Sequence, residues 1–162
     1  WHEPAWSLHL TDANATWQAI AQPPFQRRAL SVAAHGGKVY AIGGMQEVGG
    51  PTTRVDVYDP AADTWSEAAS LPGSGMSGFG SAAFACGDDL VVSTMDGFVH
   101  RLGDASDRWQ TIAEFDEARF FHRMLPIGQS ELVMVGGANM EIGKFVDLPI
   151  IQLGETTSGD TP

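Results

Sequence analysis

The sequence predicts an all-β fold assembled from a repeated four-stranded antiparallel unit, and three observations carry that prediction. Short apolar runs with period-two alternation recur along the chain. Turn clusters rich in Gly, Pro and Asp separate them. A tryptophan also returns at near-constant spacing, Trp17, Trp65 and Trp109 standing roughly 45 residues apart, as in arrays of one supersecondary unit. Each of the three lies the same distance beyond the last apolar residue of an alternating run, namely Leu10, Tyr58 and Leu102. The segments between, TDANAT, DPAADT and GDASDR, are rich in Asp, Ala and small turn residues.

The clearest unit is residues 36–65. There the run Val39-Tyr40-Ala41-Ile42 is closed by Gly43-Gly44, a polar loop follows, and Val55-Asp56-Val57-Tyr58 leads through the turn at 59–63 to Trp65. Taken in order, residues 5–10 and 16–20 are expected to form the third and the outermost strand of one unit. Pro23-Pro24 then breaks the chain. The next unit is expected at 27–34, 38–42, 54–58 and 64–68, and the following one at about 77–85, 89–94, 97–102 and 108–112. The last has strands at about 119–126, 131–135 and 145–153. Asp160 stands where a further tryptophan would fall, so this unit is expected to lack its fourth strand. The resulting division is 1–20, the end of a preceding blade; 21–68, a complete blade; 69–112, a degenerate blade; 113–153, a final blade of three strands; and 154–162, a polar, disordered tail.

The order Arg, apolar strand, diglycine, loop, strand ending in Tyr, then Trp is filled by Arg27, Gly43, Gly44, Tyr58 and Trp65. In this the chain resembles the kelch-repeat family of β-propellers, over about residues 6–153. The last unit repeats the pattern in part, with Arg119 at the arginine and Gly136-Gly137 at the diglycine. The middle unit departs from it, with Ser77 at the arginine position, Ser93-Thr94 at the diglycine and Leu102 at the tyrosine, and keeps Trp109. The resemblance implies four-stranded antiparallel blades around a central channel. It gives Arg27, Gly43, Gly44, Tyr58, Trp65, Trp109, Gly136 and Gly137 structural roles. Physical chemistry agrees: a glycine pair at a strand end permits positive φ and close backbone approach, and Tyr and Trp bury large areas while needing a polar partner.

About three blades are too few for closure, because closed rings use ~4–8. Two completions are expected: a missing propeller half from which this portion was severed, or a second copy of itself giving a six-bladed ring. The surplus strand at 5–10 and Trp1 as first residue favour the fragment. The formal net charge of −11, from 20 acidic and 9 basic residues, argues against nucleic acid as a partner. No stretch approaches the ~18 apolar residues of a membrane span. Cys86 is the only cysteine, so no internal disulfide is possible. The compartment stays open, with bacterial periplasm or extracellular space implied only by family habit.

Kelch ligands generally sit at one end of the channel, on loops before the innermost strand and between the second and third strands. The ligand-binding candidates there are Arg28, Gln46, Glu47, Arg119, His122, Asn139 and Glu141, with Gln26 beside them. Arg119-Phe120-Phe121-His122-Arg123 is the most suggestive run, since aromatic, His and Arg side chains along an inner strand can line a channel. His122 has no second His, Cys or carboxylate at ligand spacing. The chain holds no GxSxG, P-loop, HExxH or EF-hand pattern. Accordingly no catalytic residue, metal site or cofactor is assigned. The expected function is a binding scaffold for a protein or glycan; the alternative is part of a secreted or periplasmic sugar-active kelch enzyme, mutarotase- or epimerase-like, using Arg28, Arg119, His122 and Glu141.

Overall fold

The computed structural model describes residues 4–103 and 108–153. The chain begins with a hairpin of β1 (Ala5–Ser7) and β2 (Gln18–Ile20). After a short β3 (Arg27–Arg28) come β4 (Ser31–His35), β5 (Lys38–Ile42), β6 (Met45–Gln46), β7 (Val55–Asp59) and β8 (Thr64–Ala68). A second set follows: β9 (Ala82–Cys86), β10 (Asp89–Ser93), β11 (Phe98–Leu102) and β12 (Trp109–Glu114). The last comprises β13 (Arg123–Ile127), β14 (Glu131–Val135), β15 (Ala138–Asn139), β16 (Gly143–Lys144) and β17 (Ile150–Gln152). The main sheets run β4-β5-β7-β8, β9-β10-β11-β12 and β13-β14-β17, antiparallel throughout. These are the blades of a β-propeller, incomplete in this chain.

Inner strands begin later than the sequence suggests, at Ser31, Ala82 and Arg123 instead of 27, 77 and 119. The cause is a left-handed residue just ahead of each: Ala29 (φ 54), Gly80 (φ 59) and Phe121 (φ 56). This turn detaches β3, which pairs with β6, from β4. In the second blade the segment expected to start a strand is a 3₁₀ turn, Gly75–Gly78. The three left-handed residues also align the blades, placing Gly78 opposite Arg27 where the sequence places Ser77.

Two apolar cores lie between consecutive blades. Ala33, Ile42 and Val55 of the first pack with Leu90, Val92 and Leu102 of the second. On the opposite face of the second, Ala82, Cys86, Val91 and Val99 pack with Met124, Leu132, Met134 and Ile151 of the third. Alternation along each strand supplies both faces, as expected of a sheet sandwiched on two sides.

Backbone bonds stitch the same blades at the channel end. Gly80 N–H donates to the Ala29 carbonyl (3.1 Å) and Phe121 N–H to the Gly80 carbonyl (2.7 Å). At the outer rim Trp65 Nε1 donates to the Ala21 carbonyl (2.9 Å) and Trp109 Nε1 to that of Ala69 (2.8 Å). Ala21 follows β2 as Ala69 follows β8, so β1–β2 occupies the place of a third and fourth strand in the blade position before β4–β8.

Arg27 anchors the first blade. Its guanidinium donates to the carbonyls of Gly43 (3.0 Å), Arg54 (2.7 Å) and Ala41 (3.3 Å) and to Asp56 Oδ2 (2.6 Å), with both charged side chains fully buried. A Cβ on Gly43 would collide with the Gly78 backbone, and one on Gly44 would lie 2.8 Å from the Arg28 carbonyl oxygen. Tyr58 Oη donates to Asp63 Oδ1 (2.7 Å), and the Tyr58 and Trp65 rings pack 5.2 Å apart.

Removing one member of a buried ion pair leaves the other uncompensated. Arg27→Met is therefore expected to destabilise the chain by about 3–5 kcal/mol, read as a lowered urea midpoint. Adding Asp56→Leu recovers part of that loss; an unchanged midpoint in the single variant would contradict the anchoring role.

Candidate functional site

One end of the sheets carries the segments that precede the inner strands and those that join second strands to third. Arg28 is exposed on β3 and donates to Met45 Sδ (3.6 Å). Gln46, half-buried, and Glu47, exposed, border a shallow cavity of about 430 Å³ with Pro23, Pro24, Phe25 and Gln26. Gln46 N–H donates to the Gly50 carbonyl (2.9 Å), which fixes this loop.

Arg119 repeats much of the Arg27 arrangement. It is 3% exposed and donates to Asp147 Oδ2 (2.9 Å) and the Gly136 carbonyl (3.4 Å). Its guanidinium lies 3.9 Å over the Phe145 ring, as that of Arg27 lies 4.0 Å over Phe25. The Arg119 charge holds the Asp147 carboxyl below the usual carboxylate range. Asn139 closes the β15–β16 turn: its Nδ2 donates to the Ala118 carbonyl (2.7 Å), and its Oδ1 accepts from the Glu141 N–H (2.8 Å). Glu141 is exposed at that turn.

His122 is fully buried, and neither ring nitrogen has a hydrogen-bond partner among the described residues. By alignment on the left-handed residues it stands where Leu30 and Ser81 stand in the other blades. A Cβ on Gly137 would lie 2.9 Å from the His122 Cβ, as one on Gly44 would lie 2.8 Å from the Leu30 Cβ. Burial, together with the Arg119 and Arg123 charges, pushes its pKa down to about 4.

The seven sequence candidates do not converge. Gln46 and Glu47 lie at the first blade, whereas Arg119, His122, Asn139 and Glu141 lie at the third. Arg119 and Asn139 are held by protein partners. Two features escaped sequence reasoning. Arg123, outside any salt bridge among the described residues, lines a cavity of about 250 Å³ with Leu30, Ser31, Val32, Ala82 and Ala83, spanning three successive inner strands. Phe121 is half exposed in a left-handed backbone, its ring 5.2 Å from both Phe79 and Phe120. The signal for it was the repeat, which places Ala29 and Gly80, small residues, at the same turn. No group of three or more His, Cys, Asp or Glu able to hold a metal occurs among the described residues.

A histidine whose folded pKa is lowered takes up its proton in the unfolded chain first. Stability is therefore expected to be intact above about pH 6.5 and to fall as pH drops toward 4, by about 1.4 kcal/mol per unit at the steepest. His122→Leu, which restores the residue of the first blade, should flatten that segment of the curve and raise the midpoint at pH 5 in urea titrations. An unchanged pH profile would place the titration elsewhere.

Residues 26–72 match the family model described as the Kelch motif. The chain is 30% identical over 95 residues to Kelch-like protein 35 of Mus musculus, a match covering 59% of this chain and 13% of that protein. Its fold is similar to that reported as the structure of YjhT, with a TM-score of 0.72 and 18% identity, covering 86% of this chain and 47% of that one. The chain thus spans a small part of the first relative and about half of the second. With the diglycine, Tyr and Trp positions in place and the blades paired as described, the chain is a kelch-repeat protein.

Proposed function

We propose that this chain is an interaction scaffold that presents a protein-binding surface at the loop end of its blades. The observation that carries this is the placing of large apolar residues in water at that one end. Val48 and Met140 are 87% and 84% exposed, and Met76, Phe121 and Ile142 are between 45% and 57%. Val48, Met140 and Ile142 lie on links from second to third strand, and Met76 and Phe121 just before inner strands. Met, Phe and Ile on a rim with polar neighbours match the composition of protein interfaces, and Met adapts to varied partners.

A sugar-active channel enzyme has weaker support. It needs convergent acid–base groups. Arg119 is committed to Asp147 and Gly136, His122 is enclosed, and Glu141 sits out on a turn.

Photo-crosslinking from position 140 or 142, in cells that make the protein, is expected to yield discrete protein adducts. The same reagent at Asp88, on the opposite end of the second blade, should yield none. Phe121→Ala should weaken capture at least tenfold, the scale of an aromatic hot spot. Crosslinks absent from the rim, with a glycan bound in the channel instead, would overturn the proposal.

A further inference from the structure

The propeller ends on two uncovered sheet faces, and the molecule itself shows what such faces take. On the third blade Met124, Leu132, Met134 and Ile151 are buried against the second. The alternate residues Leu125, Ile127, Val135 and Ile150 point to the other side and are 38–51% exposed. Their counterparts on the second blade lie in the core described above. On the first blade the uncovered side carries Val32, 60% exposed, with Ala34 exposed beside it.

We propose that two copies of this chain close head to tail into a six-bladed ring, each third blade packing against the first blade of its partner. This goes beyond the rim reading and does not depend on it. Three repeating contacts fix the register. The faces meet as those of the first and second blades already do. The amide series continues, the partner's Ala29 N–H donating to the Phe121 carbonyl as Gly80 N–H donates to that of Ala29. The tryptophan series continues as well. Each Trp in it donates to an alanine of the preceding blade that stands four residues beyond that blade's own Trp, Ala21 beyond Trp17 and Ala69 beyond Trp65. Ala113 stands four beyond Trp109. In the ring the partner's Trp17, now 64% exposed, donates to the Ala113 carbonyl.

For Trp17 to reach that position β2 must become the fourth strand of the partner's third blade. The inner edge of β2 is held by β1 over three residues, Ala5 to Ser7. The place next to β14 is held by β17, also over three residues. β17 is the better anchored, since Ile151 and Leu153 are buried, whereas Trp6 and Ser7 are exposed. β1 therefore yields, and β2 pairs with β17 of the partner, an exchange of one short ladder for another. Head-to-tail contacts either close or run on into filaments. Two sets of three blades fall within the ~4–8 of known closed rings.

The test is light scattering and native mass of the full chain across a dilution series. The expected mass is twice 17.3 kDa, independent of concentration over the upper range. A mass of one chain throughout, or one that keeps growing with concentration, overturns the ring. Leu125→Asp with Ile150→Asp should raise the dissociation constant at least tenfold, with far-ultraviolet dichroism unchanged. Removing residues 1–10 should leave the dimer intact, because β1 is the strand displaced, and loss of the dimer in that variant would overturn the exchange. As a check that does not depend on the charged variant folding, Val32→Cys chains mixed with Leu125→Cys chains, both carrying Cys86→Ser, should give a bismaleimide-linked pair absent from either alone. Failure to link the mixture overturns the proposed contact.

Discussion

Every blade of this molecule is a sheet with two apolar faces, and a sheet of that kind must be covered on both sides. That constraint governs the rest. A single four-stranded unit with Leu90 and Val92 on one face and Val91 and Val99 on the other has no way to bury both alone. The second blade, flanked on both sides, is the only main sheet whose two faces are filled within the chain. Its central strand β10 has Leu90, Val91 and Val92 at 0% exposure. The outer blades each keep one face buried and one in water.

The two arginine anchors show how position in the array changes the same device. Arg27 meets Asp56, wholly buried on β7, and Arg54 clamps that carboxylate from the other side through Nε (3.1 Å to Oδ1) and Nη2 (2.7 Å). Arg119 meets Asp147, which is 48% exposed and lies ahead of β17. The buried arrangement compensates its desolvation with three carbonyls and a shared carboxylate. The third blade, open on one side, leaves its carboxylate wet and its pair more weakly held. The loss of the arginine in the second blade fits its surroundings: there Gly78 is pressed against Gly43 and Thr52, which leaves no room for a side chain. Asp96 instead accepts the hydroxyls of Ser77 (2.6 Å) and Thr94 (2.5 Å) to close the neighbouring loop.

The array was legible in the sequence because it rests on periodic signals. Alternation located most strands within a few residues, and Trp65 and Gly43-Gly44 marked the unit. The left-handed turns at Ala29, Gly80 and Phe121 were not legible, since Ala and Phe carry no propensity for positive φ, and it was these turns that moved the inner strands by four or five residues. The site was less legible than the fold. Arg119 and Asn139 read as rim polar groups, but their partners, the Asp147 carboxylate and the Ala118 carbonyl, come from chain 28 and 21 residues away. Sequence spacing holds no record of such pairings. The exposed apolar residues at the rim were written in the loops, yet exposure is a property of the folded chain alone.

Phe121 joins these threads. Its backbone conformation costs of order 1–3 kcal/mol for a bulky residue, and the same turn is made in the other blades by Gly80 and Ala29 at less expense. Nothing in the amide series requires a ring, because Gly80 takes part in the same bonds. Some of the cost is offset by packing: the ring meets Phe79 and Phe120, and a Cβ on Gly80 would lie only 3.0 Å from it, so that glycine leaves room for the aromatic side chain. Half of Phe121 nevertheless stays in water at the channel mouth. A residue strained in backbone, accommodated by a neighbouring glycine and still half exposed is poorly accounted for by stability alone. Its position beside Arg123, whose guanidinium overlooks the small residues of three inner strands, makes this corner of the third blade the point where scaffold and recognition surface meet.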